Sequence, residues 1–525
     1  MFYFVPAWYN QNRTWDDNTS PWFHVFARMN FDDTVNQVKM FRNANEQTTL
    51  LVLNYQPQLR YFLHNQDLLG VDYYSFFDDI QNISDQSVTP VHFRELNWPK
   101  GTYFVFTPFM VVAKQNDQEL AHITQAENGN LLNILFFREG RAYRRYLFDD
   151  RGFASSIIHF DEDGHEQSQR YLNECGVWQF EVDLKGGQPA IYINPASDKL
   201  FAQATYENFE TLLAERLSLL EKRMASDDVL IIAAEQRHNQ LLDTVFSRKR
   251  LVYSFFQNRY HPSDVEQFGK DVANAALLVS DSKSTFEAVQ QTLMAIDLEK
   301  AHVSLPIFDT RLRLGRSQTM KQLNTYFFID TISHDTLMRH IAVILAVMEE
   351  NPYIHLRLIS YRPELDMDEL KKEICHLIER QFSVEAFIEI ENLDQGENAI
   401  DEQLEEAMPR IEAYIMHNET EIIKNLDTVR LILDLGQEPD LYTQIAGISA
   451  GIPQLNAVES DFVEHGKNGK IITTDQELEE ALHFYYDGLA NWNRSLVHSV
   501  QKMADYTSGR LLERWKALLE ENSHG

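Results

Sequence analysis

Six short apolar runs recur between about residues 320 and 490, and their spacing leaves few folds open. They are "TYFFIDT" from Thr325, "IHLRLIS" from Ile354, "VEAFIEIE" from Val384, "IEAYIM" from Ile411, "TVRLILDL" from Thr428 and "IPQLNA" from Ile452. Amphipathic patterns such as "HDTLMRHIAVILAVMEE" and "ELKKEICHLIERQ" lie between them. Runs that are apolar on both faces and separated by helices read as βαβ units, because parallel strands need a crossover and bury both faces of their sheet. Residues 316–495 are therefore expected to form one doubly wound α/β domain.

The N-terminal half starts the same pattern, drops it and resumes it. "FYFVP", "DDTVNQVKMFRNA" and "QTTLLVLNY" begin a strand–helix–strand series that returns with "YENFETLLAERLSLLEKRMA", "VLIIAA", "RLVYSFF" and "NAALLVSD". In between stand β-rich runs such as "TYFVFTPFMVVAK", "LNILFFREG" and "VWQFEVD", broken by Glu-Gly, Asp-Arg-Gly and Glu-Asp-Gly turn signals. The expected organisation is a discontinuous N-terminal α/β domain over 1–87 and 196–315 with a β-meander inserted at 88–195. Residues 496–525 are expected to form a helix packing back on the N-terminal domain. A meander has edges and a broad face, so it either buries against a neighbour or docks a partner.

A chain of 525 residues is too long for one ordinary core. Its formal charge of −32 argues against a nucleic-acid partner, which needs clustered lysine and arginine. Cys175 and Cys375 are too few for a disulfide framework or a zinc site, and the histidines, among them His159, His165, His334 and His465, form no compact ligand spacing. No metal or cofactor is expected. "MFYFVPAWYN" lacks the basic and apolar regions of a signal peptide, and no apolar run approaches the ~20 residues of a membrane span. A cytoplasmic protein that meets a membrane only peripherally, through partners, is the expectation. Residues 385–412 carry ten acidic side chains against Arg410 and read as a solvated face rather than a docking patch for a basic partner. The aromatic start, with Trp8, Tyr9, Trp15, Trp22 and Phe23, reads as a core cluster rather than a sugar-stacking platform.

Chemistry concentrates in one stretch. Glu438 precedes Ala446 by eight positions, a small-residue run leads to Gly451 and Pro453, and the turn "EHGKNG" brings Gly466 and Gly469. The segment resembles the donor site of retaining GT-B glycosyltransferases, in which a second glutamate stands where this chain has Ala446. That glutamate holds the nucleotide ribose, and an alanine methyl accepts no hydrogen bond. Losing a charged acceptor costs roughly 1.5–3 kcal/mol, about one to two decades of affinity. The resemblance also implies an arginine and a lysine after the first strand of the C-terminal domain, to neutralise the leaving diphosphate. "YFFIDTISHDTLM" (326–338) has neither; Arg339 comes too far into the next helix, and Asp330 and Asp335 oppose the developing charge. The first glycine of the chain is Gly70, so "FVPAWYNQNRTW" has no glycine turn for close approach to a substrate. Six positions, Glu438, Ala446, Gly451, Pro453, Gly466 and Gly469, are thus read as a vestigial donor site with no catalytic residue. "GISAG" around Ser449 matches a nucleophile elbow in letters only, because a helical pattern precedes it and Gly451 reads as a helix cap.

The opening "MFYFVPAWYNQNRTW…PWF", the inserted meander and the degraded donor motif together resemble the accessory Sec system protein Asp-one family of streptococci and staphylococci. The resemblance implies a GT-B-like pair of Rossmann-type domains with no known transferase activity. It implies work in a complex with the companion accessory secretory proteins Asp-two and Asp-three, beside an accessory SecA motor, in exporting serine-rich-repeat glycoprotein adhesins. Two other readings are an active retaining transferase with Glu438 on the donor sugar, and a glycan-binding protein acting on the same adhesin.

Overall fold

The computed structural model describes residues 1–10, 13–17, 32–84, 87–126, 129–186, 190–257, 259–260, 264–310, 313–387, 409–417 and 419–522. Trp22, Phe23 and most of the acidic run at 385–412 lie outside them.

Seven parallel strands form the N-terminal sheet, in the order His302–Ser304, Ala275–Ser280, Arg250–Phe255, Val229–Ala233, Phe2–Val5, Thr48–Val52, Asp72–Ser75. Phe2–Val5 sits at the seam between the strands that precede the insertion and those that follow it, pairing with Thr48–Val52 on one side and Val229–Ala233 on the other. Every residue of Val229–Ala233 is buried, as a strand covered by helices on both faces requires.

Ten antiparallel strands make the insertion, from Tyr103–Phe106 to Thr205–Tyr206, each paired with its neighbour in sequence. Gly140 and Gly164 turn two of its hairpins at φ +79° and +86°, where a side chain would be strained. One face shares the N-terminal core: Leu147, Tyr171 and Phe180 pack with Val5, Phe77 and Phe209, and the Tyr171 and Phe180 rings stack at 4.4 Å. Arg151, fully buried, ties the two parts by donating to Asp149 (2.8 Å) and to Asp78 (2.8 Å) across the boundary. Arg60 holds Asp149 and Asp150 from the other side. A buried charge is tolerable only when paired and hydrogen-bonded in this way.

The C-terminal sheet has six parallel strands in the order Ile411–Ile415, Ile354–Ser360, Leu323–Phe328, Val429–Asp434, Gln454–Asn456, Gly469–Ile471. The apolar run at Val384 departs from the expected strand: Val384–Ala386 is a 3₁₀ turn, and 388–408 are outside the described residues. Phe387 is buried there, and Arg410 spans its ring (5.5 Å) to donate to the carbonyls of Ala386 (2.7 Å) and Met348 (2.7 Å). Those bonds fasten the turn as a cap on the helix that ends near it.

The C-terminal segment is two long helices. Leu489–Met503 stays with the C-terminal domain, where Trp492 Nε1 donates to the Arg430 carbonyl at 2.8 Å. After a turn at Ala504–Tyr506, Ser508–Glu521 crosses to the N-terminal sheet and buries Leu511, Leu512, Trp515 and Leu519 among Phe4, Val38 and Phe41. The packing back thus begins at Ser508, not at 496.

Candidate functional site

The carboxyl ends of the two parallel sheets meet, and such ends are where open α/β sheets hold ligands. Phe256, Ile307 and Phe308 from the N-terminal side form one apolar cluster with Leu441, Ile445, Ile448, Phe462 and Val463 from the other. Lys283 and Glu459 also face each other across this junction at 3.8 Å.

On the C-terminal side the crevice is filled by its own polar side chains. Helix Leu441–Ala450 points its N-terminus there, and its free N–H groups would suit a phosphate. Asp440 takes that role instead: its Oδ2 accepts from Thr443 N at 2.8 Å and from the Tyr361 hydroxyl at 2.9 Å. Tyr361 also shares a 2.9 Å hydrogen bond with the Thr443 hydroxyl, and burial raises its pKa well above the usual phenol range. Burial raises the pKa of Asp440 as well. Asp434, fully buried at the end of its strand, accepts from Asp440 N at 2.6 Å. Burial, and then the neighbouring Asp440 carboxyl, lift its pKa well above the carboxylate range.

Asp330 is locked into the same lattice. It accepts from Tyr361 N at 2.8 Å and from the Ser360 hydroxyl, and Arg362 Nε stands 3.2 Å from it. The Arg362 guanidinium is thus already paired with an aspartate. Arg339 lies elsewhere, 3.3 Å from Asp475. The loops themselves close the space: a Cβ on Gly436 would come within 1.8 Å of the Thr331 hydroxyl oxygen.

The six positions singled out from sequence differ in burial and in what they touch. Glu438 is exposed on the loop just before the helix, and Ala446 is half-buried against the cluster of Tyr326, Phe328 and Ile432. Gly451 ends the helix at φ +72°, where a Cβ would strike Leu496 at 2.1 Å, and Pro453 is buried with its carbonyl accepting from Ile432 N. Ser449 is in the last turn of that helix, not at a strand-to-helix elbow. The "EHGKNG" turn is tied to the protein itself. Glu464 is clamped between Lys467 and Lys502, both at 2.7 Å, and these ammonium groups pull its pKa down to about 2. Asn468 bonds to Glu464 N and the Phe462 carbonyl, Gly466 N donates to the Gly469 carbonyl, and a Cβ on Gly469 would meet the Gln454 carbonyl oxygen at 2.1 Å.

The N-terminal side is equally self-satisfied. Arg259 makes a forked pair with the fully buried Asp33 (2.5 and 2.8 Å) and donates to the carbonyls of Ala234 and Ser254. His238, buried, receives the Tyr9 hydroxyl on Nδ1 (2.6 Å) and donates from Nε2 to the Ala233 carbonyl (2.8 Å). Burial lowers its pKa to about 3, so it is neutral. Trp8 and Trp15 are buried, and Trp8 Nε1 donates to Asp32, the cap of helix Asp33–Asn43. Sequence reasoning named Asp330 but missed Asp440, Asp434, Tyr361 and Arg259. The aspartate cap before a helix is the one readable signal among them.

Two Rossmann-type sheets joined at their carboxyl ends define a glycosyltransferase-like protein of the GT-B class. Solved structures share this fold at low identity: the pneumococcal O-GlcNAc transferase GtfA in complex with UDP and GlcNAc has a TM-score of 0.69 at 14% identity, over 100% of this chain and 99% of that one. The sequence model of the accessory Sec system protein Asp-one family matches residues 1–522, and the chain belongs to that family. It is 34% identical over 529 residues to the Streptococcus gordonii member and 30% over 521 residues to the Staphylococcus aureus member, covering 99% of each and of itself. It is also similar to a chain in the crystal structure of accessory secretory proteins 1, 2 and 3 of Streptococcus pneumoniae, with a TM-score of 0.80, 31% identity and 100% and 99% of the two chains covered. A chain of the Glycosylation Associate Protein (Gap123) complex of Streptococcus agalactiae gives 0.77 and 37%, over 98% and 99%. Its role thus lies in the accessory Sec system. No helix among the described residues is long and apolar enough to cross a membrane.

Proposed function

We propose that the chain is a non-enzymatic adaptor of the accessory Sec system: a GT-B scaffold that has lost transfer chemistry and holds partners instead. The observation that carries this reading is the filled crevice. Asp440 caps the helix whose N–H groups a donor phosphate would need, and Asp330 engages Arg362. A leaving diphosphate would meet two carboxyl groups and a guanidinium already committed to one of them, the reverse of the stabilisation that transfer requires. Glu438, Ala446, Gly451, Pro453, Gly466 and Gly469 then belong to a vestigial donor segment maintained for packing.

In this reading the chain works in the cytoplasm, in a complex with the companion proteins Asp-two and Asp-three. The solved complexes of its relatives support that partnership. The complex would assist an accessory SecA motor in exporting serine-rich-repeat adhesins, and two weak contacts joined through one rigid chain raise the effective concentration of cargo at the motor. The test is export in cells that lack the chain. Restoring it, or restoring its Glu438→Ala variant, returns adhesin to the surface equally; export that needs Glu438 would favour an active or glycan-reading cleft and refute the adaptor.

A further inference from the structure

The outer face of the meander, away from the shared core, carries an aromatic stripe whose inner rings pack under the segment 91–98, where Phe93 is buried, and whose end at the sheet edge is exposed. It starts at the open edge strand Tyr103–Phe106, where Phe106 is 60% exposed and Phe109, in the turn that follows, is 85% exposed. Ring contacts continue inward from Phe106 to Phe93 (6.3 Å), Phe104 (5.0 Å), Trp98 (5.6 Å), Phe136 (5.8 Å) and Tyr146 (5.5 Å). At its inner end lies a groove of about 420 Å³ whose walls include Val91, Leu96, Phe136, Tyr143, Arg144 and Phe153.

Three guanidinium groups stand on these rings. Arg94 is 5.4 Å from the Phe106 centroid, while Arg138 and Arg144 lie 4.8 and 5.2 Å from Tyr143. None of the three has a carboxylate within 4 Å among the described residues, in a chain whose net charge is −32. Arg144 is half-buried, and among the described residues its one side-chain hydrogen-bond partner is the Tyr146 hydroxyl, at 3.4 Å. A cation–π contact leaves most of a guanidinium's N–H groups unused.

We infer that this face docks an acidic segment of a companion protein, seating an apolar side chain in the groove and carboxylates on Arg94, Arg138 and Arg144. The inference rests on the adaptor reading. Charge complementarity selects the occupant. Aromatic and arginine side chains around a pocket are the composition of an interface centre, and arginine forks match carboxylates. A symmetric pairing of two copies through this face would set guanidinium against guanidinium. The overall charge repels a nucleic acid.

The test is the affinity of the full-length chain for the purified Asp-two and Asp-three proteins, measured by biolayer interferometry at several salt concentrations. Arg94→Glu with Arg138→Glu, both exposed sites, is expected to weaken binding by ~10-fold or more, and Arg144→Met by a similar factor, with the difference shrinking as salt rises. Arg510→Glu, on the exposed side of the last helix, should change nothing. Equal binding by the meander variants, or an equal loss with Arg510→Glu, overturns the docking surface and leaves the adaptor reading standing. A wild-type chain that binds neither companion overturns both. Hydrogen exchange on the wild-type complex gives the same answer without variants: slowed exchange over residues 91–98 and 131–148 supports the face, and unchanged exchange there refutes it.

Discussion

Asp434→Asn should stabilise the protein increasingly as pH rises. Asp434 is fully buried, one carboxyl oxygen accepts from Asp440 N at 2.6 Å, and the other has no partner among the described residues. An asparagine keeps the accepting oxygen and sets its amide where the unpartnered oxygen was. The sign follows from the raised pKa. The folded protein keeps the Asp434 proton at pH values where the unfolded chain releases it, so this group contributes stability that is present at low pH and lost as pH rises toward the folded pKa. Asparagine carries no such proton. The variant's advantage is therefore expected to be near zero at about pH 4 and to grow by about 1.4 kcal/mol per pH unit until the folded acid itself ionises. Asp440, whose pKa is raised as well, keeps its own linkage in both proteins, so the variant's profile flattens by one proton rather than becoming level. Urea denaturation of both chains from pH 4.5 to 8 measures the difference. Parallel stability curves would refute the assignment of a buried neutral acid to the crevice floor.

Other perturbations test other joints of the structure. Trp515→Ala removes a buried side chain wedged against Phe41 (6.0 Å between rings) and should cost about 3–5 kcal/mol, seen as fast hydrogen exchange over residues 508–521. Glu464→Gln should cost about 1 kcal/mol, after allowing for solvent screening of a side chain 42% exposed. That loss should appear above about pH 4.5 and vanish as pH falls toward 2, because the folded Glu464 is the stronger acid; melting temperatures against pH measure it. Ala446→Glu introduces the carboxylate that the GT-B resemblance implies at this position, but against Tyr326 and Phe328. It should lower stability by about 1–3 kcal/mol and create no heat of UDP-GlcNAc binding in calorimetry.

The doubly wound sheets were readable because parallel strands buried on both faces leave unbroken apolar runs, as in "VLIIA" and "VRLILD". The meander was readable from its glycine turns. The run at Val384 misled because apolarity alone does not separate a strand from a buried turn, and what holds that turn is Arg410, more than twenty residues on. In the crevice, the sequence could be compared only with the donor site it resembles, where a glutamate would stand at 446 and cations after the first strand. It did not show which side chains line the crevice. Tyr361 and Asp440 are 79 residues apart, Asp33 and Arg259 are 226 apart, and only the folded sheets bring them together. Nothing in the sequence singles out Arg94, Arg138 and Arg144, because the rings they stand on come together only in the folded meander.

The most direct test is to titrate the purified chain, alone and with its two companions, with UDP-GlcNAc and UDP-glucose, with and without Mn²⁺, while assaying released UDP. A pseudo-glycosyltransferase with a self-filled crevice gives no binding heat and no UDP at millimolar donor. Micromolar binding with turnover would contradict the central claim and require Asp330, Asp434 and Asp440 to rearrange around the donor.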